Sequence, residues 1–236
     1  MIRKTEAIVL HTQKFGDSSL ICTLFTRQYG RRTYMIKGYR STKAKSRHSY
    51  FQPMSLIEIV FYHKEGRDLQ LITESSNRHY FHRLQTDPLR ITLGMVMMEV
   101  FYQSVREEER NDGLFGFLAT VLVSLDEWDD KLIHIFLWYL VQLTRYLGFF
   151  PSVEVDDYTQ SIYFDLREGS ILHAPGARGS DHHIAAFCNL ELLQCRDLRF
   201  TNAEKKEMIT TLLQYYLLHV EGFKEPESLK VLEQVF

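Results

Sequence analysis

The sequence predicts an α+β chain, with a small five-stranded barrel over residues 1–80 and a helical bundle with a small hairpin insertion over residues 81–236. Three observations lead there. The first 80 residues hold five short runs rich in β-branched and aromatic residues, each bounded by turn residues. After residue 85 apolar residues recur at spacings of three and four. The charge is also divided: residues 1–80 carry a net +8 and residues 81–236 a net −10, although the whole chain is only −2.

The predicted strands are TEAIVLHT, SLICTLF, RTYMI, SLIEIVFY and LQLITE, separated by KFGDS, RQYG, a basic stretch and HKEGRD. In the first, Ala7 and Val9 fall on one face and Ile8 and Leu10 on the other. Five strands without a long helix suggest a closed barrel, and the five-stranded OB-fold, which often binds oligonucleotides, is the commonest form.

Asp87 followed by Pro88 marks the start of the first helix. Its apolar stripe is read as Ile91, Met95, Met98, Tyr102 and Val105. A second stripe is Leu114, Leu118, Val121 and Leu125, and a third is Leu132, Phe136, Leu140, Leu143 and Leu147. The third helix also carries Ile135, Trp138 and Val141, so it is expected to be the buried, central one. Residues 149–183 are broken by Pro151, Pro175, Gly176 and Gly179, and SIYFD and SILHA around LREG read as a small hairpin inserted in the bundle. A shorter helix near 184–195 follows, and Thr201 with Glu204 forms a capping-box pattern opening a last helix through Ile209, Leu212, Tyr216 and Val220.

No run of 18 or more uncharged apolar residues is present, so no membrane-spanning helix is expected. The N-terminus lacks the apolar core of a signal peptide. Three cysteines, Cys22, Cys188 and Cys195, make no disulfide framework and fit a reducing compartment. Together these predict a cytoplasmic protein. No phosphate-binding glycine loop and no nucleophile elbow occurs, and no catalytic residue is assigned. His173, His182, His183, Cys188 and Cys195 are zinc-ligand types, but no paired Cys-x-x-Cys or His-x₃₋₅-His spacing links them, so no metal or other cofactor is expected.

The chemistry concentrates between the third and fourth predicted strands. KGYRSTKAKSRHSYFQP places five permanent cations, Lys37, Arg40, Lys43, Lys45 and Arg47, within eleven residues and with no acid among them. Tyr39, Tyr50 and Phe51 stand beside them, and Arg31 and Arg32 open the preceding strand. Cations for phosphates and rings for bases are what single-stranded nucleic-acid binding needs. Alternation puts Tyr34 on the face of Arg32, so Tyr34 and Tyr39 are the candidates for base stacking. In the acidic half, Lys131, Arg145, Lys205 and Lys206 are candidates for a basic rim around a groove for an acidic, apolar protein tail.

The segment EAIVLHTQKFGDSSLICTLFTRQYGRRTYMIKGYRSTKAK resembles the opening of the RecO family of bacterial recombination mediators. The points of likeness are Glu6 to Leu10, Gly16 to Ser18, Thr23 to Thr26, Gly30, and Lys37-Gly38. FQPMSLIEIVFY, YLGFFP and YFDLREGSIL resemble later family segments in the same order. The resemblance implies an N-terminal OB domain, a helical C-terminal domain and no enzymatic turnover, in a bacterial, nucleoid-associated protein of DNA repair and recombination. It implies binding of single- and double-stranded DNA, annealing of complementary strands, and help in loading RecA in RecFOR-type gap repair. It also implies partnership with RecR and with the C-terminal tail of the single-stranded DNA-binding protein. Many members hold a four-cysteine zinc site in the insertion; here those places read SVEVDDYTQS and SILHAPGARG, without a cysteine. An RNA-binding OB protein of translation or RNA processing, and an enzyme with its site in the acidic half, are the alternative readings.

Overall fold

The first strand, β1 (Ile2–Phe15), is buried on both faces where it runs Ala7-Ile8-Val9-Leu10. Alternation sends Ala7 and Val9 inward and Ile8 and Leu10 outward, so something must cover each side. The computed structural model describes residues 1–38, 49–64, 66–106, 108–157, 160–174 and 178–235, and shows both covers. Packing divides the chain into two units, Met1–Glu127 and Trp128–Phe236.

In the first unit β1 is joined by β2 (Ser19–Thr26), β3 (Gly30–Lys37), β4 (Leu56–Tyr62) and β5 (Leu69–Asn77). They close into a barrel in the order β1-β2-β3-β5-β4, antiparallel except for the β3–β5 pair. This is the OB arrangement. Val9, Cys22, Tyr34, Ile57 and Phe61 are among the residues that fill it. The outer cover is α1 (Pro88–Ser104), which packs on β1 and α2 (Asp112–Glu127). Outward Phe25 on β2 sets its ring 5.0 Å from Phe101 of α1, edge-on, and 6.1 Å from Phe115 of α2.

Asp87 caps α1, its carboxylate accepting from Arg90 N at 2.9 Å, as the sequence predicts. The apolar stripe of α1 differs in phase from the expected one. Met98 and Val105 of the expected stripe are buried, but the buried face is centred on Leu93, Val96, Met97, Val100 and Phe101, whereas Met95 and Tyr102 are exposed by 45% and 37%. The helix is apolar nearly all round, so spacing alone does not choose a face; the covered rings of the barrel do. Gly94 permits the tight approach of the 52–55 turn, because a Cβ there would collide with Met54 Sδ.

The segment entering α1 is tied to the end of α2 by one carboxylate. Asp126 accepts from the backbone N–H of Leu84 at 2.6 Å, Arg83 at 2.7 Å and His82 at 3.2 Å. Arg83 and buried Arg90 in return donate to carbonyls of residues 125–127, which the helix end leaves without internal partners. Burial opposes ionisation of Asp126, but the three N–H donors outweigh it and hold the carboxyl below its ordinary value.

The second unit is built round α3 (Leu132–Leu147), which buries every residue from Leu132 to Thr144 and is the central helix expected. Buried polar atoms at this centre are paired: Trp138 Nε1 donates to Leu190 O, Gln142 Nε2 to Phe187 O and Tyr216 OH to Leu140 O, all at 2.8–2.9 Å. The expected insertion hairpin is β7 (Ile162–Asp165) and β8 (Ser170–His173), with an additional strand β6 (Ser152–Glu154) parallel to β8. Helix α4 (Asp181–Asn189) follows, ending sooner than the sequence suggests, then a 3₁₀ turn at Gln194–Asp197. Thr201 and Glu204 make the capping box of α5 (Asn202–His219), and α6 (Leu229–Val235) is a short terminal helix not foreseen from the sequence. No helix among the described residues is long and apolar enough to cross a membrane.

A charged pair joins the insertion to α4. Asp181, wholly buried, accepts from Phe164 N at 3.1 Å and from Arg178 Nε at 3.2 Å, and Arg178 Nη2 donates to Phe164 O at 3.0 Å. Among the described residues no three His, Cys, Asp or Glu side chains stand together as a metal site. His173 instead meets Asp156 at 3.0 Å and His183 meets Glu204 at 3.4 Å. All three thiols are buried, and burial pushes their pKa values up to about 12.

The Asp126 carboxyl binds fewer protons folded than unfolded, so its stabilisation is complete above the ordinary value of 3.8 and is lost as pH falls through the lower folded one. Asp126→Asn should cost about 1–3 kcal/mol at pH 7 by denaturant titration, with the gap to the parent narrowing in acid. Asp181→Ala should cost about 3 kcal/mol, since it leaves Arg178 and the Phe164 amide without their acceptor. A chelator should leave the parent's melting temperature unchanged.

Candidate nucleic-acid interface

Strand directions sort the barrel into two ends. Strands β1, β3 and β5 run one way and β2 and β4 the other. One end therefore gathers the β1–β2 turn, the end of β3, the start of β4 and the end of β5. The other gathers Met1, the β2–β3 turn and the β4–β5 turn. The basic stretch leaves from the first end, directly after Lys37.

A register shift in β1 between Val9 and His11 decides what this end presents. Beyond such a bulge the inward and outward positions exchange parity. Thr12 and Lys14 thus pair with the inward residues Cys22 and Leu20, whereas Phe15 pairs with Ser19, which pairs with Lys37. The outward face of the barrel reads in rows: Phe15-Ser19-Lys37, then Gln13-Ile21-Met35-Leu71, then His11-Thr23-Thr33-Leu69. Phe15 is 53% exposed, and Lys14 and Lys37 are exposed beside it. The β1–β2 turn beyond them uses Gly16 at φ +60°, a left-handed conformation that glycine adopts at no steric cost.

Several cations elsewhere on the barrel are neutralised, although Arg3, Lys64 and Arg67 have no ion pair among the described residues. Lys4 pairs with Glu58 at 2.8 Å, and Glu6 takes both Arg27 at 2.8 Å and Arg78 at 2.7 Å. Lys14 and Lys37 have no ion pair among the described residues. The unneutralised positive charge of the described barrel thus includes the end that feeds the basic stretch. That stretch is anchored on its far side by Phe51, buried in the barrel core, and by Met54 N donating to Val9 O at 2.8 Å.

The residues singled out by sequence separate into groups. Tyr39, Arg40, Lys43, Lys45 and Arg47 lie outside the described residues. Lys37 is an exposed side chain at the end of β3. Arg31 is occupied: its Nη1 donates to Tyr102 O and Val105 O, both at 2.7 Å, and its guanidinium lies 4.1 Å from the Tyr102 ring centroid. It thereby satisfies the carbonyls at the end of α1, where a cation also meets the negative end of the helix dipole. Arg32 donates to Tyr29 O at 3.2 Å and approaches the Glu108 carboxylate at 4.0 Å. Arg31 and Arg32 line a depression of about 300 Å³ with Asp68 and Glu108, six or so residues along β3 from Lys37 and hence about 20 Å away.

Tyr34 is a correction. The expectation of base stacking fails because the side chain is wholly buried inside the barrel, 5.1 Å from Phe61 and edge-on to it. Alternation did align Tyr34 with Arg32, but that face is the inner one, and burial pushes the Tyr34 hydroxyl's ionisation well upward. The outer face carries two exposed aromatics, Tyr62 on β4 at 43% and Phe15 at 53%; the sequence reading passed over Phe15 because it ended the strand at Thr12. The Lys-Phe-Gly-Asp turn was the available signal. Tyr80, 66% exposed, is a further exposed aromatic following β5, but its neighbours Arg78 and Arg83 are engaged with Glu6 and with the α2 carbonyls.

In the second unit a groove of about 560 Å³ runs between α5 and α6, with Ile209, Leu213, Leu217 and Leu232 as its apolar lining. Of the four rim candidates, Lys205 and Lys206 border it. Lys131 instead donates to Arg196 O, and Arg145 lies 3.8 Å from the Phe150 ring centroid.

Residues 1–81 match the family described as Recombination protein O N terminal, and residues 85–162 match Recombination protein O C terminal. A Flavobacterium johnsoniae protein named DNA repair protein RecO is 36% identical over 244 residues, covering 99% of this chain and 98% of its own. Proteins of the same name from Christiangramia forsetii and Phocaeicola vulgatus are 31% and 29% identical over the full length of both chains. The two family matches fall in the same order as the barrel and the helices after it, and the relatives run from end to end, so the chain belongs to the RecO family.

Proposed function

We propose that this protein acts in DNA repair as a DNA-binding recombination mediator without catalytic turnover. It binds single- and double-stranded DNA, anneals complementary strands and helps load RecA onto DNA covered by single-stranded DNA-binding protein. The observation that carries the reading is the barrel end at which Lys14 and Lys37 have no ion pair among the described residues and from which Arg40, Lys43, Lys45 and Arg47 follow in sequence with no intervening acid. Membership of a family whose members are named DNA repair proteins supports it. Phosphate contacts of this kind hold a strand without reading its sequence, which suits a protein that must act at any gap.

In the same reading the groove of the second unit takes the C-terminal tail of the single-stranded DNA-binding protein, an acidic and apolar peptide. Its apolar lining and the Lys205–Lys206 border support that partner. RecR completes the assembly.

Binding through phosphates releases counterions, so affinity should fall steeply with salt. If Lys37, Arg40, Lys43, Lys45 and Arg47 each contact one phosphate of a single strand, the log–log slope should be about −3.5. The triple variant K43A/K45A/R47A should be shallower by roughly two units, with unchanged thermal stability. Fluorescence anisotropy over a salt series and a strand-annealing assay test this; an unchanged slope and unchanged annealing would remove the basic stretch from the mechanism. A preference for RNA over DNA of the same sequence would favour the RNA-binding alternative. For the groove, the variant K205E/K206E should weaken binding of the labelled tail peptide by roughly tenfold while leaving oligonucleotide binding intact.

A further inference from the structure

Single exposed apolar side chains are common on protein surfaces and by themselves mean little. Phe15 is distinguished by its setting. It is 53% exposed in the middle of a stretch, residues 13–18, that is exposed throughout, and it has no ring contact among the described residues. It occupies the last row of the barrel's outer face, with Ser19 and then Lys37 on the adjoining strands. Two strand spacings, about 10 Å, separate the Phe15 and Lys37 backbones, a gap that a lysine side chain largely spans. The next row inward, Ile21 and Met35, is only half-buried and continues an apolar surface from the ring. Without the bulge between Val9 and His11, Phe15 would turn into the barrel mouth and Lys14 would turn out; the bulge sets the ring on the surface.

We infer that Phe15 is a base-stacking platform that gives the barrel a preference for single-stranded DNA, with Lys37, on the same face, holding an adjacent phosphate. The inference rests on the DNA-binding reading above and adds to it which form of DNA the site selects. Stacking on an aromatic ring needs the open face of a base. An unpaired strand offers such faces along its length, whereas in a duplex each face is covered by the neighbouring pair. The ring is uncharged, so it adds affinity without adding a counterion term, and its contribution is separable from that of the lysines by salt dependence. Asp17, two residues on in the turn, carries a negative charge that keeps phosphates away from the turn itself, leaving the base as the group that meets the ring.

The test uses the full chain with a labelled oligothymidine and a labelled duplex, in anisotropy titrations over a salt series. Phe15→Ala and Phe15→Leu should each weaken single-strand binding roughly 5- to 100-fold. Both should leave duplex binding within twofold and the salt slope unchanged. Leucine keeps apolar bulk in the strand and removes the ring, so loss in both variants marks stacking. Phe15→Trp should restore affinity, and its added indole emission should be quenched by oligothymidine beyond any change in the parent. Circular dichroism melts matching the parent exclude a folding defect. Single-strand affinity equal to the parent in Phe15→Leu, or equal loss on both forms of DNA, would overturn the inference while leaving DNA binding in place. A parent that binds neither form would overturn the functional reading itself, and this inference with it.

Discussion

The first unit depends on the double burial of β1. Ala7, Ile8, Val9 and Leu10 are each at most 4% exposed, and a strand can bury consecutive residues only if both faces are covered. The barrel interior covers one face, and α1 packs against the other. That requirement explains why Phe25 points outward and is nevertheless buried, why Gly94 must lack a Cβ where the 52–55 turn comes against α1, and why the connection into α1 is clasped by Asp126. Helices α1 and α2 therefore group with the barrel by packing, although the apolar periodicity of the sequence changes near residue 80.

The same strand then stops being a core element and becomes a surface one. Up to Val9 its side chains serve two interiors; after the shift at Val9/His11 it projects beyond α1 and every residue from Gln13 to the turn is exposed. A single extra residue thus converts a structural strand into a presenting one, in keeping with the tendency of bulges to re-aim side chains near functional surfaces. Arg31 and Lys37 show the corresponding division on β3. One end of the strand uses its arginine to satisfy a helix terminus, and the other leaves its lysine without an ion pair among the described residues.

The second unit solves a different problem, that of holding a small sheet against a bundle. Three short strands bury little by themselves, and small modules of this kind are often fixed by a metal. Here buried Asp181 collects the Phe164 amide and the Arg178 guanidinium, and Arg178 closes back on the Phe164 carbonyl. Each polar group taken from water in this ring has a partner, which is the condition under which a buried charge is tolerated.

Much of this molecule follows from residue order alone. Five short β-rich runs, the Asp87-Pro88 and Thr201-Glu204 helix starts, the wholly apolar α3, the hairpin around LREG and the separation of basic from acidic halves are local or compositional features, and each appears where the sequence puts it. The basic stretch was equally legible, because charge does not depend on folding. What only the tertiary structure decided are matters of facing. The buried side of α1 was set by which rings of the barrel needed cover, since an apolar helix carries no unique stripe. Tyr34 went inside and Phe15 outside because strand parity has a period of two and one bulge reverses it. Arg31 was drawn to carbonyls more than seventy residues away in the chain, and β6 and α6 are too short to announce themselves without the elements they pack upon. Local sequence determines which elements form; which face of each meets the core depends on what arrives from elsewhere in the chain.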